Sequence, residues 1–190
     1  MLKSLLTEIR QCTVCEPHLP LGANPVIRAH SAAKILIIGQ APGTKVHNTS
    51  IPWNDASGER LRQWLGLDRE AFYCEENIAI MPMGLCYPGK GRSGDLPPRK
   101  ECAPLWHAKV LEQLPNRQLT LLIGQYAQHY YLSDKPSTLT ETVQQWQRWA
   151  PSVLPLPHPS PRNTLWLKNH PWFEQDIVPY LRQRVKQVLT

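Results

Sequence analysis

Three short apolar runs constrain this chain more than any other feature. Residues 34–39 (KILIIG), 77–83 (NIAIMPM) and 119–124 (LTLLIG) are continuous rather than alternating in hydrophobicity, and two of them end in glycine. Short continuous runs belong to strands buried on both faces, the habit of parallel sheets covered by helices. Segments with helical spacing separate them. Residues 3–10 place Leu5, Leu6 and Ile9 on one face, and residues 57–65 place Leu61, Trp64 and Leu65. Residues 101–114, 125–132 and 139–149 also read as helical, and residues 174–188 carry an apolar stripe on a basic helix. Pro82 predicts that the second run ends there, and VLPLP at 153–157 is a short strand at best. Strands alternating with helices predict an α/β fold with a parallel sheet covered on both faces. With no repeat and no low-complexity linker, residues 1–190 read as one domain.

Ligands of such sheets gather at the carboxyl ends of the strands. Two polar loops follow predicted strands directly: Gly39-Gln40-Ala41-Pro42-Gly43 after the first, and His158-Pro159-Ser160-Pro161-Arg162-Asn163 after the last. The expectation is that they sit at neighbouring strand ends and line one cleft. The glycines of the first loop permit close backbone approach, and its free N–H groups suit a carbonyl or a phosphate. The prolines of the second stiffen it and present a histidine, a serine and an arginine on a rigid spur.

Composition narrows the setting. No apolar run approaches the ~18 residues of a membrane span. The start, MLKSLLTEIRQC, carries Glu8 and Arg10 and lacks the apolar core of a secretory signal, so the cytoplasm is expected. Net charge is +6, which favours a polyanionic partner. Five cysteines in a chain of that compartment point to metal or catalysis rather than disulfides. Cys12 and Cys15 form a CxxC pair able to chelate one centre. Cys86 and Cys102 flank a loop rich in glycine, proline and basic residues, and Cys74 stands apart. Four thiolates and one bystander fit zinc or an iron–sulfur cluster equally on spacing.

Taken together, these motifs resemble the paired loops of the uracil-DNA glycosylase superfamily. The order of Cys12, Cys15, Cys86 and Cys102 is similar to that of its iron–sulfur members, families four and five. Residues 51–58 (IPWNDASG) resemble their second conserved segment, and LLIGQYAQHYYL at 121–132 their strand-to-helix step. The resemblance spans roughly residues 5 to 170. It implies a three-layer α/β sandwich around a central, mainly parallel four-stranded sheet, and a [4Fe–4S] cluster on the four cysteines, with structural zinc as the alternative. It further implies excision of uracil or another deaminated base from single- or double-stranded DNA, by a monomer with no membrane association.

Three positions depart from the family pattern. Gln40 stands where family four usually has glutamate. Ala41 stands where related branches place an aspartate or asparagine that activates water. Met81-Pro82-Met83-Gly84 lacks the amide that reads the uracil edge.

On this resemblance, Gly39, Ala41, Pro42 and Gly43 line the base pocket and Trp53 is its stacking face; a core tryptophan is the competing reading. His158 donates to the leaving base. Asp55 stabilises the sugar cation or positions water, unless it serves only as a helix cap. Gln40 holds base or water through its amide. Ser160, Pro161 and Arg162 form the spur in the DNA groove, braced by Asn163. Lys90, Arg92, Arg99 and Lys100 are candidate phosphate contacts. The rival functions are a non-catalytic nucleic-acid binder on the same fold and a zinc-stapled hydrolase of small molecules.

Overall fold

A computed structural model describes all residues, Met1–Thr190. In chain order, α1 (Leu2–Arg10) leads through the CxxC to β1 (Ile35–Ile38), α2 (Thr44–Thr49), α3 (Ala56–Leu65), α4 (Arg69–Phe72) and β2 (Ile78–Ile80). A hairpin of β3 (Lys90–Gly91) and β4 (Gly94–Asp95) precedes α5 (Cys102–Glu112), β5 (Leu119–Ile123), α6 (Gln125–Tyr131) and α7 (Leu139–Gln144). The chain closes with β6 (Val153–Leu156), α8 (Thr164–Asn169), a π-helical turn at Phe173–Ile177 and α9 (Val178–Leu189).

The central sheet has the order β2-β1-β5-β6, and every pairing in it is parallel. Parallel pairing brings every strand's carboxyl end to one rim. Alternation along each strand feeds two cores. Ile35, Ile37, Ile78, Ile80, Leu121 and Leu154 pack with Leu61, Phe173 and Leu181 on one face. Leu36, Ile38, Ala79 and Leu122 pack with Ile9, Trp106, Val110 and Ala127 on the other. This makes three layers, and it explains the continuous apolar runs: both faces of each strand meet a helix layer.

Two sequence expectations need correction. The strand ends that carry residues 39–43 and 158–163 are not neighbours, because β5 lies between β1 and β6. Only the shared rim survives. The strand around 153–157 is a full edge strand rather than a marginal one, in register with β5 from Thr120–Val153 to Ile123–Leu156. Pro155 is tolerated there because an edge position does not need its missing N–H. No helix is long and apolar enough to cross a membrane.

Candidate active site

The rim of the sheet opens into a cleft of about 560 Å³. Gly39, Gln40, Ala41, Pro42, Gly43, Trp53, Asp55, His158, Ser160, Arg162 and Asn163 all contribute to its wall. Gly124, at the end of the intervening β5, bridges the gap between the two loops: a Cβ there would stand 3.9 Å from the His158 Cβ.

Trp53 is fixed by backbone and packing together. Its φ of 58° is left-handed, a conformation unusual for a bulky side chain, which persists only when surroundings impose it. Three contacts do so. The buried Arg62 donates to the Trp53 carbonyl at 3.1 Å. The Tyr73 hydroxyl donates to the Pro52 carbonyl at 2.7 Å. Gly58 leaves room for the turn, since a Cβ there would lie 1.7 Å from the Trp53 oxygen. The indole reaches back to β1, where a Cβ on Gly39 would stand 2.8 Å from Cζ2. The first glycine of GQAPG is thus needed for the tryptophan. Sequence reasoning missed Arg62, although its place four residues after Gly58 on the helix face with Leu61 and Leu65 was a usable signal.

His158 packs beside this indole, with ring centroids 5.6 Å apart and planes at 36°. Its Nδ1 accepts the Ser160 backbone N–H at 3.1 Å. That bond assigns the tautomer: Nδ1 is the acceptor, so in the neutral ring the proton sits on Nε2. Burial lowers the His158 pKa, with the Asp55 charge pulling weakly the other way. The ring is therefore a neutral Nε2–H donor at physiological pH. The loop around it is braced from inside. Asn163 donates to the His158 carbonyl at 2.8 Å, and Arg60 to the Ser160 carbonyl at 3.2 Å.

Asp55 caps α3, accepting the Gly58 N–H at 2.9 Å. Arg162 is exposed, yet its guanidinium donates to the Ser93 carbonyl, tying the 158–163 loop to the β3–β4 hairpin. Arg99 is paired with Glu101 at 2.7 Å beside the cysteines, away from the cleft. Lys90 stays exposed on the hairpin. The hairpin also brings an unforeseen acid to the cleft, Asp95. Its only sequence signal was its place among the glycines of residues 91–95.

Behind the cleft wall, buried His107 meets the Pro82 carbonyl through Nε2 at 3.0 Å and the Tyr131 hydroxyl through Nδ1 at 2.5 Å. Burial holds its pKa down to about 4.

Cys12, Cys15, Cys86 and Cys102 line one small cavity of about 20 Å³ between the segment after α1, α5 and the loop after β2, and Cys74 is not part of it. The Leu85 N–H points onto the Cys102 sulfur at 3.3 Å. Burial raises the Cys86 thiol to about 11 and the Cys102 thiol to about 12, with the neighbouring cysteines adding to both. No three Cys, His, Asp or Glu side chains converge tightly enough to hold a single ion.

The fold and the site define a class: a parallel α/β domain whose ligand cleft is built from loops at the strand ends, with a separate thiol-lined cavity. Within that class the chain belongs to the uracil DNA glycosylase superfamily, whose family model matches residues 28–182. It is similar to a type-4 uracil-DNA glycosylase of Thermotoga maritima, 22% identical over 162 residues that cover 84% of this chain and 82% of that protein.

Proposed function

We propose that the cleft accepts a uracil or other deaminated base flipped out of DNA and hydrolyses its N-glycosidic bond. The observation that carries this reading is the tautomer of His158. With Nδ1 satisfied by the Ser160 amide, the neutral ring's free donor is Nε2–H, beside the Trp53 indole in the cleft. As the bond breaks, negative charge grows on the base oxygen, and a preorganised donor stabilises that state more than the ground state. Trp53 supplies the face against which a base stacks, typically worth about 1–3 kcal/mol. Gln40, with Ala41, Pro42 and Gly43, shapes the pocket floor. The 160–163 loop, braced through Arg60 and Asn163, meets the DNA, and exposed Lys90 and Arg162 at the mouth attract phosphate.

Four thiols around a shared cavity suit a [4Fe–4S] cluster. Tetrahedral zinc would draw its four sulfurs to about 3.8 Å of one another around one ion, whereas a cluster holds its ligands apart at its corners. When bound, such a group serves as a structural staple. Cys12 and Cys15 would hold the N-terminal segment, and Cys86 and Cys102 both ends of the loop that bears the hairpin.

The test is cleavage of oligonucleotides carrying uracil, hypoxanthine or xanthine, single- and double-stranded, scored by strand scission after alkali. Scission at the modified base supports the reading. Tight binding without scission of any of them makes the protein a non-catalytic binder. For the thiols, the protein purified without oxygen should be brown and contain iron and sulfide in equal amounts. Colourless protein with stoichiometric zinc overturns the cluster.

A further inference from the structure

Hydrolysis of a glycosidic bond leaves positive charge on the sugar and a proton to be taken from water. The expected groups do not supply both needs. Ala41 offers a methyl, Gln40 an amide that cannot act as a base, and Asp55 has one of its two carboxylate oxygens, Oδ1, taken by the α3 cap through Gly58. The cleft has one other carboxylate, Asp95 on β4.

Its placement is built rather than incidental. The hairpin that carries it is fastened to the 158–163 loop by the Arg162 bond to the Ser93 carbonyl. A Cβ on Gly43 would lie 3.6 Å from Asp95 Oδ2, so the carboxylate stands against the bare backbone of the GQAPG loop. Tyr87, Lys90 and Arg162 are the ionisable groups that face it. Asp95 is exposed on the hairpin, yet the protein atoms around its carboxylate desolvate it enough to raise its pKa, and the Arg162 and Lys90 charges oppose that without cancelling it. A carboxylate of raised basicity is better suited to taking a proton.

The geometry points to Asp95 as the catalytic carboxylate of this cleft, an inference that rests on the glycosylase reading above. Water oxygen bonds to C1′ as the C1′–N bond breaks. The bonding pair leaves on the base, whose oxygen accepts from His158 Nε2–H. The water proton passes to Asp95, and solvent protonates the released base. Before that transfer, the carboxylate charge faces the developing sugar cation.

Asp95→Asn keeps size and removes charge and basicity. Single-turnover cleavage should fall by about 10²–10⁴-fold with DNA affinity and melting temperature little changed. The parent rate should fall on acidification with a midpoint above the ordinary aspartate value of about 3.9, and the residual rate of the variant should lack that limb. Asp95→Glu, which disturbs the hairpin at least as much but keeps a carboxylate, should recover tenfold or more over Asp95→Asn. Cleavage by Asp95→Asn within threefold of the parent, or no recovery in Asp95→Glu, overturns the assignment.

A binding experiment separates this inference from the reading it rests on. Duplexes with a cationic pyrrolidine at the abasic position are compared with those carrying neutral tetrahydrofuran. The parent should prefer the cation by tenfold or more, and Asp95→Asn should lose that preference. If the parent cleaves no base but shows the preference, catalysis fails while the placement of Asp95 stands. If the parent binds both probes equally, the placement fails, whatever it cleaves.

Discussion

Replacing His158 with alanine separates catalysis from architecture. Two consequences of different size follow from its contacts. The structural one is small. The Ser160 N–H loses its acceptor, worth about 0.5–1.5 kcal/mol, and the indole of Trp53 loses a neighbouring ring. For a chain of this length, 1 kcal/mol shifts the melting temperature by roughly 2–4 °C, so the variant should stay folded. The catalytic consequence is large. A lost donor to charge developing in a water-poor site typically costs about 10²–10³ in rate, or roughly 3–4 kcal/mol. Single-turnover scission of a uracil-containing duplex should therefore fall a hundredfold or more while binding changes little, because the bond strengthens only as the base becomes an anion. The pH profile carries a sign. Burial lowers the His158 pKa, so the ring is neutral from mildly acidic pH upward. The rate should then not decline as pH rises through 6–8. A cationic donor would instead lose activity as pH rose through its pKa. Scission by His158→Ala within threefold of the parent, or a His158-dependent fall in rate above neutrality, would refute the neutral-donor argument.

Three further outcomes follow from other contacts. His107 should make stability fall with acid: the unfolded chain takes up a proton near pH 6.5, whereas the buried ring refuses it until about pH 4. The loss over that window is about 3 kcal/mol, and denaturant midpoints measured from pH 7 to 4 should show a shallower slope in His107→Gln. Gly58→Ala drives a methyl into the Trp53 carbonyl, so it should cost at least about 1–3 kcal/mol in chemical denaturation and weaken capture of the flipped base. Asp55→Asn should keep the α3 cap, because both side chains accept the same N–H. Its stability should stay within about 0.5 kcal/mol and its scission within fivefold; a hundredfold loss would return the catalytic carboxylate to Asp55.

What the sequence determined by itself was what repeats or lies close along the chain. The runs at 34–39 and 119–124 could only be strands covered on both sides, and β1 and β5 lie within them. The helical stripe of residues 57–65 became α3, with Leu61, Trp64 and Leu65 buried. Asp55 as a cap was legible because capping acts over three residues. The polar loops were legible because a parallel sheet sends every strand end to one rim. Strand order was not, because nothing local to β1 or β6 says that β5 will come between them. Nor could chain-local reasoning see contacts that the sheet creates between distant residues. Gly39 is required by Trp53, Trp53 is held by Arg62, and Arg162 closes on Ser93 across 69 positions. Asp95 sits in a short hairpin with little hydrophobic pattern of its own. Only tertiary packing brings its carboxylate against Gly43 and sets its basicity, because the desolvation by those loops and the neighbouring charges exist only once the loops meet.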